Sequence, residues 1–181
     1  MHDGTDRSLV FRSRGGDGEA YGELVVRYQA SVFNVCLRMM GERREAEDLM
    51  QDTFVRAHAR LRTFDEQRPF GPWIRRVATN LCLNRLKRKQ SLDVPFGQLA
   101  ERIEGRSVSP EKSLIKRERQ LRVREAILGL PPHYRAVIEL RHFQELSYAE
   151  IGRELGIPLS DVKSHLFRAR KMLAKRLEHH V

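Results

Sequence analysis

Amide and cationic side chains share one face of a helix predicted for the middle of the chain. Arg76, Asn80, Asn84 and Lys87 recur at intervals of four, four and three residues, which makes a single stripe along an α-helix. An asparagine amide offers both a donor and an acceptor, which suits the edge of a nucleobase better than a phosphate. Residues 68–90 also contain seven Lys or Arg and no acid. This pattern predicts a contact with nucleic acid. The other cations that we assign to it are Arg68, Arg75 and Arg88.

Three aromatic residues come just before this stripe, in the preceding loop and at the start of the helix. They are Phe64, Phe70 and Trp73. Aromatic rings at a nucleic-acid surface can stack on unpaired bases. Phe64 and Trp73 can equally belong to the hydrophobic core, and the sequence leaves both interpretations open.

A second basic helix lies near the end of the chain, in the stretch "IPLSDVKSHLFRARKML" at 157–173. Before it, Ser147 and Glu150 form the S-x-x-E pattern of a capping box. Gly156 and Pro158 then predict that one helix ends here and a second helix begins, and Ser160 is suited to cap the second helix. Two helices with so short a joint indicate a helix-turn-helix, whose second helix enters the major groove. The candidate DNA contacts are Ser160, Lys163, Ser164, His165, Phe167, Arg168 and Lys171. Phe167 can touch a thymine methyl or pack against the first helix, and both remain open.

Acidic residues cluster on a different predicted helix. Glu45, Glu47, Asp48 and Asp52 lie within eight residues, with Gln51 among them. Acids at a helix start can simply offset the macrodipole. On a chain of net charge +10, however, an acidic patch would repel DNA, so we expect it to face a protein.

Helical periodicity runs through almost the whole sequence, and strand-like alternation is nearly absent. We therefore predict an all-α protein with two small helical domains joined by a flexible linker. The predicted boundaries are an N-terminal extension at 1–16, a first domain at 17–90, a linker at 91–112 and a second domain at 113–181. Apolar spacing predicts one long helix or two before Gly41, a helix ending near Leu61 and a third from about Pro72 to Lys89. After the linker it predicts a helix from about Pro110 to Leu128. A short helical turn around 99–103 is possible inside the linker.

Composition excludes several classes of protein. No apolar run approaches the roughly 20 residues of a membrane span, and the polar start does not resemble a signal peptide, so we expect a cytoplasmic protein. Cys36 and Cys82 form no metal-binding spacing and are predicted to be buried thiols. We find no nucleophile or metal motif, and we expect no catalytic residue, metal or cofactor. Nothing indicates a further module after residue 181.

Three segments, in this order, resemble the extracytoplasmic-function (ECF) sigma factors of bacterial RNA polymerase. They are "REAEDLMQDTFVRAH", "PWIRRVATNLCLNRLKR" and "LGLPPHYRAVIELRHFQELSYAEIGRELGIPLSDVKSHLFRARKML". The resemblance covers residues 17–178. It implies a first domain that binds the promoter −10 element and core RNA polymerase, and a second that binds the −35 element. It also implies regulation by an anti-sigma factor.

The resemblance also implies roles for particular residues. Those that correspond to the polymerase-binding helix are Glu47, Asp48, Gln51 and Phe54, and Asp52 adjoins them. Asn80 and Asn84 correspond to the −10-reading helix, and we assign the aromatic and basic residues named above to the same −10 contact. The loop 65–71 corresponds to the segment that captures a flipped −10 base. Of the candidates on the last helix, those that correspond to −35 contacts are Lys163, Ser164, His165, Phe167 and Arg168.

The linker length agrees with these roles. From Gln90 to Lys112, 23 residues extend at most about 75–80 Å at roughly 3.4 Å each. That length is comparable to some 20 bp of duplex at about 3.4 Å per step.

Two alternatives to a sigma factor remain. One is a stand-alone helix-turn-helix regulator, which would need only the second half of the chain, and the other is a nucleic-acid-processing enzyme, for which no catalytic constellation is found.

Overall fold

The computed structural model describes residues 5–92 and 110–178, and all regular secondary structure within them is helical. The predicted all-α fold class is thus confirmed, with a gap between two helical regions where the linker was expected. The helices are α1 (Asp6–Arg14), α2 (Gly18–Met40), α3 (Arg43–Arg60), α4 (Phe70–Ser91), α5 (Pro110–Leu128), α6 (Pro132–Ile138), α7 (Tyr148–Leu155) and α8 (Leu159–Glu178). A 3₁₀ turn (Leu61–Thr63) follows α3, and a π-helical segment (Glu139–Phe143) follows α6.

The first domain is built around α2, α3 and α4. The segment before Gly41 is a single 23-residue helix, capped by the Asp17 side chain, which accepts a hydrogen bond from the Ala20 N–H. Its apolar stripe packs against the inward faces of α3 and α4. Completely buried residues of this core include Leu24, Val35, Met39 and Ile74.

The N-terminal extension contains a helix that periodicity did not predict. Thr5 caps α1 by accepting a hydrogen bond from the Ser8 N–H, and Leu9 and Val10 are buried against the first domain. The Arg14 side chain reaches across to the carbonyl oxygens of Leu61 and Phe64. Residues 5–14 therefore pack as part of the first domain and do not form a separate extension.

The second domain has its own core, formed by α6, the π-helical segment, α7 and α8. The predicted apolar stripe of the last helix faces this core, because Val162, Leu166 and Ala169 are buried. The helix α5 has the predicted bounds, Pro110–Leu128, so its first three residues overlap the range assigned to the linker. The turn expected around 99–103 lies outside the described residues.

The two domains pack directly against each other. Ala136 of α6 is buried within the first core, and Leu155 of α7 packs against both cores. Helices α2 and α4 contribute most of the first domain's side of this contact. The sequence predicted two domains but gave no sign that they touch.

Cys36 and Cys82 are free and buried, as predicted. The pKa of the Cys82 thiol is raised, first by its hydrogen bond with Cys36 and then by burial. Both effects disfavour the reactive thiolate. No helix in the described parts of the chain is long and apolar enough to cross a membrane.

Candidate functional site

The polar stripe predicted from the sequence lies on one face of α4. Arg76, Asn80 and Asn84 line a hollow of about 210 Å³, which Trp73 and two arginines of α3, Arg56 and Arg60, also border. The amides are accessible, since Asn84 is exposed and Asn80 half-buried. Lys87 and Arg88 are exposed further along the helix, and Arg75 is half-buried.

An acid of the second domain lies in the same hollow. Glu154, on α7, forms an ion pair with Arg76, with 3.1 Å between its Oε1 and the arginine Nε. The sequence gave no indication of this contact, because it joins residues of different domains.

The aromatic residues before the stripe serve mainly to pack the first domain. Phe70 and Phe64 are buried, and their ring centroids lie 5.4 Å and 4.7 Å from that of Trp73. Packing therefore accounts for Phe64 and Phe70, whereas half-buried Trp73 still reaches the hollow beside Asn80. Gly71 allows this arrangement, because a Cβ there would lie 2.6 Å from the Tyr28 ring.

The loop before α4 borders a larger hollow of about 670 Å³. Its walls come from the start of α1, from α2 and from residues 64–70. Its charged lining is mixed, with Arg7, Arg27 and Arg68 beside the acids Asp6 and Glu66, and Arg27 pairs with Asp6 at 2.6 Å. Arg68 is exposed, with 3.5 Å between its Nε and the Asp65 carboxylate. Arg7 lies on α1, within the range 1–16 predicted as an N-terminal extension.

The acidic face of α3 divides into residues that point outward and residues that do not. Asp48, Gln51 and Asp52 are exposed, and Glu47 is half-buried and paired with Arg43 at 2.8 Å. Phe54, however, is buried in the core, so its side chain is not available to a partner in this structure. Val55, which we did not select, is 70% exposed on the same helix.

The helix-turn-helix has the local structure that its sequence predicted. The Ser147 hydroxyl and the Glu150 carboxylate form the reciprocal capping box, and Gly156 adopts the left-handed conformation at φ 65°. Helix α8 begins at Leu159, so Ser160 lies within its first turn and does not cap it. The Ser160 hydroxyl contacts the Asp161 carboxylate at 3.4 Å instead.

Most candidate contacts on α8 are accessible. Lys163, Arg168 and Lys171 are exposed, and Phe167 is 69% exposed, which excludes the interpretation that it packs against the first helix of the motif. Ser164 is half-buried.

His165 points back toward its own domain. Its ring lies 5.0 Å from that of His133 and 5.4 Å from that of Tyr134, centroid to centroid, and its Nδ1 is buried without a hydrogen-bond partner. The pKa of His133 is lowered by burial, by His165 and by Lys87 of the first domain. His165 is therefore a weaker candidate for a base contact than its exposed neighbours.

Charged residues that sequence reasoning missed join the two domains. Glu139 is 2% exposed, and its carboxylate accepts two hydrogen bonds from Arg38 of α2, at 2.7 and 2.8 Å. Arg135 is 1% exposed, and its guanidinium donates to the carbonyl oxygens of Met39, Leu128 and Leu130. In the sequence, these two residues stand out only as a pair of charges in the apolar run "RAVIEL", and this pattern does not reveal which residues they bind.

The described residues thus form a two-domain helical protein with one basic surface on each domain and an acidic face on the first. A family model of sigma-70 region 2 matches residues 24–92, and one of sigma-70 region 4 matches residues 120–173. These two regions define an RNA polymerase sigma factor.

Whole-chain relatives identify the group. The ECF RNA polymerase sigma factor SigW of Bacillus subtilis is 36% identical over 170 residues, 90% of this chain and 91% of that protein. The RNA polymerase sigma-H factor of Pseudomonas aeruginosa is 32% identical over 182 residues, 96% and 94% of the two chains. The structure of CnrH in complex with the cytosolic domain of CnrY aligns with a TM-score of 0.67 and 26% identity, covering 97% of this chain and 99% of that one. The chain belongs to the ECF sigma factors, which are transcription initiation factors and not known enzymes.

Proposed function

We propose that three separate surfaces carry out the work of this sigma factor. The acidic face of α3, formed by Glu47, Asp48, Gln51 and Asp52, binds core RNA polymerase. The polar face of α4 reads the −10 element, and the exposed face of α8 reads the −35 element. The observation that supports this assignment best is the segregation of charge: an exposed acidic face on a strongly basic chain suits a protein partner and not DNA.

On the −10 side, Asn80 and Asn84 supply hydrogen bonds to base edges, and the basic residues supply phosphate contacts. Trp73 borders the same hollow and offers a ring for stacking. The larger hollow beside the 64–70 loop is lined by three arginines and two acids and is the proposed place for an unpaired −10 base. Buried Phe64 and Phe70 hold that loop in place from beneath and do not themselves touch DNA.

On the −35 side, the first turns of α8 enter the major groove. Lys163 and Arg168 lie on the exposed face and are suited to guanine or phosphate, and Phe167 presents an apolar ring to a thymine methyl. Lys171 lies about two turns further on than Ser164 and suits a phosphate. Ser160 and Ser164 are neutral donors near the start of the helix.

We also propose that an anti-sigma factor regulates this chain. The sigma factor RpoE of Bartonella quintana, solved in complex with the anti-sigma factor NepR, has the same fold, with a TM-score of 0.63 and 21% identity over 87% of this chain and 96% of that one. The support for this partner is the family membership of the chain.

The polymerase assignment is tested by reversing one charge. Asp48→Lys should weaken association with core RNA polymerase about tenfold or more, because like-charge contacts across an interface are costly. The fold should survive, since exposed substitutions usually change stability by within about 0.5 kcal/mol. The measurement is a pull-down with core polymerase, followed by transcription from a cognate promoter.

Glu19→Lys is the matched control, because Glu19 is an exposed acid of the same domain on a different helix. Equal polymerase affinity for the two variants would show that the acids of α3 only serve the helix dipole. A wild-type chain that does not bind core polymerase would favour the stand-alone regulator.

A further inference from the structure

Helix α1 is tied to the segment that follows α3, chiefly by the side chain of Arg14. Its guanidinium donates from Nε to the Leu61 carbonyl oxygen at 2.8 Å, and from its two terminal nitrogens to the Phe64 carbonyl oxygen and the Glu66 carboxylate. The Arg14 side chain is 23% exposed, so these charge-assisted hydrogen bonds are partly shielded from water. Arg14 therefore fixes three points of residues 61–66, which form the 3₁₀ turn and the start of the loop before α4.

The other end of α1 is fixed to α2. The Asp6 carboxylate accepts hydrogen bonds from the Tyr28 hydroxyl and from Arg27, the latter at 2.6 Å. Burial, and then the hydrogen bond with Asp6, raise the pKa of Tyr28 to about 12, so its hydroxyl remains a donor at neutral pH. Leu9 and Val10, between the two ends of α1, are buried in the first core. The position of α1 is thus set by α2, and the helix can serve as a brace for the loop.

The braced loop and α1 line the same hollow, which is the proposed place for an unpaired −10 base. Helix α1 contributes Thr5, Asp6, Arg7 and Val10 to its lining. Inside the loop the hydrogen bonds are local, since the N–H groups of Gln67 and Arg68 both donate to oxygen atoms of Asp65 at 3.0 Å. Such bonds shape the turn, whereas Arg14 sets where its backbone lies relative to the rest of the domain. The shape of the hollow therefore depends on Arg14.

We propose that Arg14 is a positioning residue for −10 recognition, and that α1 is a brace that holds the loop 64–70 in the shape that admits an unpaired base. This inference rests on the proposed role of the hollow. Arg14 itself does not touch the DNA, because all three of its guanidinium nitrogens donate to residues 61–66. A loop that is held before binding does not have to be ordered on binding. Loss of the brace should therefore weaken only the contact made through this hollow.

The test uses the full chain assembled with core RNA polymerase and a single strand of DNA that carries the −10 element of a cognate promoter. In a matched set of strands, each base in turn is replaced by an abasic site. Arg14→Met should weaken binding of the intact strand about tenfold, because the loop must then be ordered when DNA binds. It should also abolish the effect of removing the base at one position, while the other positions keep their wild-type effect. A residue needed only for folding would weaken binding of every strand alike.

Two further variants make the test specific. Arg12→Met is the control, because Arg12 lies on the same helix but pairs with Asp17 at 2.6 Å and not with the loop. It should keep the wild-type effect at every position. Arg14→Lys keeps a charge for Glu66 but lacks the planar fork that serves both carbonyl oxygens, so it should show a smaller loss, about threefold, at the same position. If circular dichroism shows that Arg14→Met does not fold, this variant carries the test.

The inference is overturned if the Arg14 variants keep the wild-type effect of base removal at every position, or if they weaken binding of all strands equally. It also fails if Arg12→Met reproduces the loss at one position. In each of these cases the wild-type holoenzyme still distinguishes intact from abasic strands, so the proposed −10 role stands. A wild-type holoenzyme that binds the intact strand and every abasic strand equally would instead refute the −10 base contacts themselves, and the brace with them.

Discussion

Replacing Arg135 by methionine should destabilise both domains, although the residue belongs to only one of them. Its guanidinium is 1% exposed and donates to three backbone carbonyls, two in its own domain and one, that of Met39, at the end of α2. Burial lowers the pKa of Arg135 to about 10, so it still carries its charge at neutral pH. Methionine has a similar length and no donor, so Arg135→Met leaves these acceptors unpaired with little change in volume.

The magnitude follows from two opposing terms. Hydrogen bonds to a charged donor contribute about 1.5–3 kcal/mol each, or roughly 5–9 kcal/mol for three. In the opposite direction, the variant no longer incurs the free-energy cost of desolvating a buried charge, which is several kcal/mol. We therefore expect the free energy of unfolding to fall by about 2–4 kcal/mol, which corresponds to a Tm lower by roughly 5–15 °C for a chain of this size.

The assay is urea unfolding followed by far-UV circular dichroism and by Trp73 fluorescence. Since Trp73 lies in the first domain, a shift of its transition measures the coupling through the Met39 carbonyl. Arg170→Met, at an exposed position on α8, should change stability by within about 0.5 kcal/mol. The reasoning fails if Arg135→Met is as mild as Arg170→Met, or if the Trp73 transition does not move.

Three further predictions concern DNA contacts and pH. Arg168→Ala and Lys163→Ala should weaken promoter binding, and a true base contact should also relax preference at one position by about 1–3 kcal/mol. A contact to phosphate would instead weaken all sequences alike and flatten the salt dependence. The double variant Asn80→Ala, Asn84→Ala should impair promoter opening more than closed-complex binding; normal permanganate reactivity in it would refute the assignment. The pKa values of His133 and His142 are both lowered, chiefly by burial, so the unfolded chain binds more protons than the folded one. The contribution of these two neutral histidines to stability is then fully present above about pH 6.5 and is lost as the pH falls further; a thermal midpoint unchanged between about pH 7 and pH 5 would contradict this.

The sequence revealed the features that depend on local patterns and missed those that depend on contacts between distant residues. Helices α2 and α8 were predictable because an apolar stripe identifies both a helix and its buried face. The Ser147–Glu150 capping box was predictable because its two partners are only three residues apart. Helix α1 was missed because "DRSLVFRSR" offers only one short apolar cluster. Phe54 was assigned to a partner surface by resemblance, although its register places it in the core. The Arg38–Glu139 pair joins residues 101 positions apart, and no periodicity reports such a distance.

Acids of two other helices neutralise part of the basic face of α4: Glu154 of α7 pairs with Arg76, and Glu45 of α3 pairs with Lys89. A stripe of cations without acids is unfavourable in a compact chain unless something neutralises it, and here Glu154 partly does so. An ion pair with side chains 14% and 27% exposed retains more of its strength than a fully solvated one, yet remains within reach of competing charges. The Arg76–Glu154 pair therefore adds a second polar contact between the domains to the one made by Arg38 and Glu139.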